Sequence, residues 1–353
     1  MWPQLNYVGL RGDDGMLKGG IFGFGGVGQS MTRRINLDKR FGDDFEIVAV
    51  CNRGKEKRDL AEQKYNLAAY DNIDDLIAHG LDFMLIVSTS HVHRDAAVKC
   101  AEAGIPYLIE KPIALTLSDA KDITESAQKA GIINGVNYSM RYRPLYIKMK
   151  DMVQKGELGD VLSIWARSFR GHGFYMNGKR HRAVAEPEES GGWIVHHMCH
   201  IVDFVIWVAG EVDEVYTITK STAPKKLDSE EIVYSTLKFR NGAVGMVSDI
   251  TGYPRDHSAG VVGTKGGVTE TLGGPKPLIS LFWETDREFG PPHIVDPEES
   301  VKSDSGLDQF LRCLKEGKQT NVPVDEAYYS LRVCHAMRIS AHEGKPVAVS
   351  EVK

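Results

Sequence analysis

The feature that most constrains this chain is Gly23-Phe24-Gly25-Gly26-Val27-Gly28, a G-x-G-x-x-G run. Its surroundings raise it above chance. A short apolar piece, Ile21-Phe22, precedes it, an amphipathic segment follows to about Asp38, and Glu46-Ile47-Val48-Ala49-Val50-Cys51 reads as a second strand. In such a strand–turn–helix–strand unit each glycine has a task. The first permits the tight turn, the second lets a pyrophosphate approach the backbone, and the third lets helix and strand pack closely. The helix start then offers unbonded N–H groups and the positive end of its dipole to the anion. Residues 23–28 therefore predict a dinucleotide site, with Gly23, Gly25, Gly26, Val27 and Gly28 against the cofactor.

The second strand ends at Asn52-Arg53, followed by Lys55, Lys57 and Arg58. An acidic residue about twenty positions past the glycines usually holds the adenosine ribose hydroxyls and selects NAD. A neutral amide beside guanidinium removes the repulsion that a 2′-phosphate would feel. NADP or NAD is expected, with a lean to NADP; a solvated basic helix start that ignores the cofactor is the alternative.

Strand and helix patterns continue to alternate. Residues 82–88 read as a buried strand, 95–103 as a helix closed by Gly104, 106–110 as a strand, and 116–130 as a helix stopped by Gly131. That alternation predicts a doubly wound parallel sheet, which binds ligands at the C-terminal ends of its strands. Beyond Tyr138 the pattern changes to β-branched strands at 161–169, 215–222, 232–239, 243–250 and 260–264, with closing helices at 305–315 and 325–342. The fold expectation is α/β: an N-terminal Rossmann domain, residues 1–138 with an extension at 1–18, and an α+β domain, residues 139–353, carrying a large, mostly antiparallel sheet.

A chain of 353 residues accommodates two such cores. A net charge of −5 gives no reason to expect nucleic acid or an anionic membrane as partner. No window reaches the apolar length of a membrane span, and residues 1–14 lack the basic-then-apolar pattern of a signal peptide. Five cysteines, odd in number and without a C-x-x-C pair, fit a reducing compartment, so a cytoplasmic location is expected.

Two stretches could carry chemistry. Glu110-Lys111-Pro112 falls at the end of a parallel strand, where a lysine can donate to a substrate oxygen or move a proton; a surface lysine before a turn is the plain alternative. The second is the helix-like stretch from Glu189 to Asp203. His196, His200 and Asp203 are spaced i, i+4, i+7, which places two imidazoles and a carboxylate on one helical face. Three readings stay open: a satisfied core network, a metal site at His196 and His200, or a general acid–base histidine of the kind that oxidising a hydroxyl requires.

Together these residues resemble the glucose–fructose oxidoreductase / inositol dehydrogenase (Gfo/Idh/MocA) family. The carriers are the glycine loop, Ser88-Thr89-Ser90-His91-Val92-His93 in the place of T-P-x-x-x-H, Glu110-Lys111-Pro112, Arg141-Tyr142-Arg143-Pro144 resembling R-F-x-P, and Ser190 to Asp203 resembling G-G-G-x-x-x-D-x-G-x-H-x-x-D. The resemblance implies a catalytic Lys111 and an acid–base His200. It implies cofactor contacts from Asn52, Arg53, Ser88, Thr89, His93, Glu110 and Lys111, and substrate contacts from His196, His197, Arg141, Tyr142 and His181. His196 stands where the family usually has an aspartate, and Met198 where it has a glycine.

The implied activity is hydride transfer between a sugar, sugar derivative or cyclic polyol and NAD(P), in a homodimer or homotetramer. An oxidation–elimination glycosidase holding its nicotinamide tightly, with or without a metal, is the second expectation. A cofactor-sensing regulator is the third, and the pair Lys111 and His200 counts against it.

Overall fold

The computed structural model describes residues 15–170, 187–221, 230–252, 255–271, 278–283, 293–297 and 304–353. They divide into two units. The first runs up to Asn137 and takes in Ser305–Tyr328; the second comprises Tyr138–Asp304 and Tyr329–Lys353. The sequence reading divides the chain once, near residue 138. Contacts return residues 305–328 to the first unit, because Leu307, Phe310, Leu311 and Leu314 of the helix Gly306–Glu316 are buried in its core.

The first unit is a six-stranded sheet of β1 (Leu17–Phe22), β2 (Phe45–Cys51), β3 (Ala68–Tyr70), β4 (Phe83–Ile86), β5 (Tyr107–Ile109) and β6 (Asn134–Val136). All pairs are parallel, in the order β3-β2-β1-β4-β5-β6. The order reverses between β1 and β4, and ligands bind at such a switch point. Burial on both faces explains why β4 reads as an unbroken apolar run. Glycines 19 and 20 do not break β1, because neighbours occupy the space their side chains would need. A Cβ on Gly19 would stand 2.2 Å from the Phe83 ring, and one on Gly20 2.4 Å from Leu81.

Five helices follow from local signals: α1 (Gly26–Thr32), α2 (Lys55–Tyr65), α3 (Ile73–Ala78), α4 (His93–Glu102) and α5 (Leu117–Ala130). Thr116 caps α5 by accepting the Asp119 N–H, and Gly131 closes it at φ +64°.

The second unit carries α6 (Pro144–Gln154), β7 (Val161–Arg170), α7 (Cys199–Ala209), β8 (Val212–Lys220), β9 (Ile232–Phe239), β10 (Val244–Ile250), β11 (Arg255–Gly263), β12 (Gly266–Thr271), β13 (Leu278–Trp283) and β14 (His293–Val295). After α8 (Gly306–Glu316) and α9 (Val324–Glu343) the short β15 (Val347–Ala348) completes a nine-stranded sheet in the order β14-β13-β12-β11-β7-β10-β9-β8-β15. Among the described residues only the β7–β10 pair is parallel. Strands β12 to β14 went unseen in the sequence. β12 opens on two glycines, and a Cβ on Gly266 would meet the Phe282 carbonyl at 2.5 Å.

Helix α7 packs on β7 and β10. The opposite sheet face exposes Tyr216, Ile218, Tyr234, Val244, Met246 and Phe282, with Ile218 60% and Val244 57% accessible. Among the described residues no helix is long and apolar enough to cross a membrane.

Candidate functional site

In the first unit the glycine turn links β1 to α1. Gly23 adopts φ +107°, and a Cβ there would strike the Ser88 backbone at 2.6 Å. A Cβ on Gly28 would lie 2.4 Å from the Gly23 carbonyl, so close helix–strand packing needs glycine. Gly25 and Gly26 differ: a Cβ on either meets nothing within 4 Å, leaving their backbone fronting open space. Two glycines serve packing and two leave an approach open, which fits a pyrophosphate on the helix start.

Asn52 closes the turn. Its Oδ1 accepts the Phe24 N–H at 3.0 Å and its Nδ2 donates to the Gly54 carbonyl at 3.3 Å, while the Gly23 N–H bonds the Cys51 carbonyl at 2.9 Å. Its carboxamide is thus engaged by the turn itself. Arg58 donates to the carbonyls of Asn52 and Arg53, Lys55 pairs with Asp59 at 2.7 Å, and Arg53 is exposed.

Ser88 and the exposed Thr89 follow β4. His93, expected at the cofactor, is fully buried instead. Its Nε2 lies 3.2 Å from the Ser88 carbonyl, and its Nδ1 lies 3.1 and 3.3 Å from those of Pro112 and Ile113. Burial pushes the imidazole down to about 4, against the three carbonyls that favour its charged form, and the neutral ring has a single N–H to donate to one of the two loops that follow β4 and β5.

After β5, Glu110 accepts the Asn137 amide at 2.6 Å and the Lys111 N–H at 3.2 Å. Burial raises its pKa, opposed by Asn137 and Lys111. The Lys111–Pro112 peptide is cis. The half-buried Glu110 side chain thus fixes the backbone that presents Lys111, at the same sheet end as the glycine turn.

In the second unit, Gly191 and Gly192 adopt φ +81° and +76°. Glu230 anchors the segment that follows: Oε2 accepts the Trp193 N–H at 3.0 Å and Oε1 accepts the Arg338 Nε–H at 3.1 Å. Residues Ile194–Met198 then form a π-helical turn leading into α7. The His197 ring lies 6.3 Å from His196 and 6.4 Å from His200, with both pairs edge-on. His197 stacks on Trp193 at 4.4 Å, and His200 meets the buried Tyr138 ring edge-on at 5.9 Å.

Asp203 does not join them. It is fully buried and binds Arg141 through two bonds of 2.7 and 2.8 Å, with Ser330 donating at 3.1 Å. Arg141, expected to line a substrate pocket, is itself buried by this pair and lies over Trp207; Tyr142 is buried too. His181 lies outside the described residues. No group of three or more metal-ligating side chains converges among the described residues.

Three contributors escaped the sequence: Glu230, Trp193 and Asp249. Asp249 had a signal, since strand alternation turns it the same way as Val247, toward the covered face. It is fully buried, and its Oδ2 lies 4.0 Å from His197 Nδ1.

The model of the oxidoreductase family's NAD-binding Rossmann fold, GFO_IDH_MocA, matches residues 17–138, and that of its C-terminal alpha/beta domain matches residues 150–349. A scyllo-inositol 2-dehydrogenase (NAD(+)) of Bacillus subtilis is 26% identical over 301 residues, covering 82% of this chain and 83% of its own. A myo-inositol 2-dehydrogenase of Thermotoga maritima is 24% identical over 353 residues, covering 94% and 98%. Among solved structures, the WlbA dehydrogenase of Bordetella pertussis, in complex with NADH and UDP-GlcNAcA, superimposes with a TM-score of 0.77 at 23% identity, covering 94% and 98%.

Proposed function

The chain belongs to the Gfo/Idh/MocA oxidoreductase family, and from that premise we propose that it moves hydride between a hydroxyl of a sugar, sugar derivative or cyclic polyol and a nicotinamide cofactor. The observation that carries this reading is Lys111, its backbone held by the half-buried Glu110 carboxylate at the sheet end that also bears the open glycine turn. The bound nicotinamide supplies the two-electron acceptor. Lys111 holds the substrate hydroxyl, and His200 takes its proton as the carbon gives up hydride. His196 and His197 line the substrate side.

NADP is the favoured cofactor. Position 52 carries no carboxylate, its amide is engaged by the turn, and Arg53 stands exposed beside it. A second copy of the chain covers the apolar outer face of the nine-stranded sheet, giving a homodimer or a homotetramer.

The test follows reduced-nicotinamide absorbance and product together, with either cofactor and a panel of sugars, polyols and glycosides. Cofactor reduction should match substrate loss one to one. Lys111→Ala and His200→Ala should each lose about 10²- to 10⁴-fold in turnover. Full turnover in both variants sinks the assignment. Glycoside cleavage without net cofactor reduction would identify an oxidation–elimination cycle instead.

A further inference from the structure

We propose that Asp249 is the positioning carboxylate of the histidine chain, holding the His197 ring as its Nδ1–H tautomer so that Nε2 is the basic nitrogen. The helix that bears the three histidines cannot supply this carboxylate: its own acidic residue, Asp203, is bonded to Arg141 and Ser330. The sheet supplies one. β10 turns Asp249 inward, fully buried, with Ser168 of β7 beside it in register.

The nitrogen facing Asp249 Oδ2 is Nδ1, at 4.0 Å. A small ring rotation or one bridging water closes that distance to a hydrogen bond. The ring plane is already set, because His197 stacks on Trp193, whose N–H is fixed by Glu230. Which nitrogen of a neutral imidazole carries the proton is decided by the bond the other one makes. His197 also meets both neighbouring rings edge-on, at 6.3 and 6.4 Å, so its tautomer governs what it presents to His196 and His200. Among the described residues, the titratable groups near it include those two imidazoles on its own helix, Asp249 on β10, and, one strand beyond Ser168 in register, His257 of β11.

For catalysis the inference rests on the dehydrogenase reading; the tautomer itself needs neither substrate nor cofactor. The full-length chain with ¹⁵N-labelled histidine, assigned through His197→Gln, is observed by NMR near pH 8. The wild-type His197 ring should show a protonated Nδ1 and a bare Nε2. Asp249→Leu should move the ring toward the Nε2–H form, and Asp249→Glu should restore Nδ1–H. A bare Nδ1 in the wild-type protein overturns the proposal even where the leucine variant does not fold. An identical tautomer in a folded Asp249→Leu overturns it as well.

Once a substrate is known, Asp249→Leu should cut kcat about 10²-fold while leaving the KM for cofactor unchanged. Turnover with an Nε2–H ring in the wild type would discard this role for Asp249 and keep the dehydrogenase. An Nδ1–H ring without hydride transfer would do the opposite.

Discussion

At the scale of single residues, the four glycines of the turn divide by what their missing side chains permit. Gly23 and Gly28 leave room for protein backbone, at 2.6 and 2.4 Å from a would-be Cβ, and Gly25 leaves room for something outside the protein. Gly25→Ala should therefore melt close to the wild type yet bind NAD(P)H at least tenfold more weakly by fluorescence titration. Gly28→Ala should lose about 1–3 kcal/mol of stability, as overpacked sites do. Equal melting losses in the two variants would show that residue 25 serves packing after all. Asn52 belongs at this scale too, since one amide replaces a carboxylate and bonds the turn on both of its sides.

At the scale of elements, the histidine helix is defined by its π-helical turn and by the ion pair behind it. The turn carries His197, whose ring is 6.3 and 6.4 Å from those of His196 and His200, and the Arg141–Asp203 pair, only 3% and 0% exposed, fastens α7 to the segment before α6. Removing one member of such a pair leaves a buried charge uncompensated. Asp203→Asn should cost about 3–5 kcal/mol in denaturant unfolding, and replacing both partners with apolar residues should recover much of it. A loss below about 1 kcal/mol would mean that the pair contributes little to holding α7. His93 is the counterpart in the first unit: a fully buried ring between the loops after β4 and β5, facing carbonyls of both.

At the scale of the whole molecule, each unit has its own sheet, and the second leaves one sheet face bare. Tyr216, Ile218, Tyr234, Val244 and Met246 lie on adjacent strands of that face, a patch of the kind that marks an interface. Ile218→Lys combined with Val244→Lys should therefore shift the protein to monomers in sedimentation without unfolding it. A wild-type chain that already sediments as a monomer at micromolar concentration would refute the paired face.

What the sequence determined by itself is whatever short-range physics encodes. The glycine turn, the alternating strands and helices of the first unit, the Thr116 cap, the Gly131 stop and Lys111 at a strand end were all legible, since each rests on neighbours a few positions away. The same holds for the three histidines as a group. Tertiary structure decided the rest. Only packing returns residues 305–328 to the first unit, through four apolar side chains whose partners lie hundreds of positions earlier. Only the folded chain shows the His197 ring stacked on Trp193 and 6.3 and 6.4 Å from those of His196 and His200. Only long-range pairing sends Arg141 to Asp203, leaves His93 buried, and brings a carboxylate from β10 against a ring more than fifty residues earlier, because buried charges take the partners that the fold puts within reach.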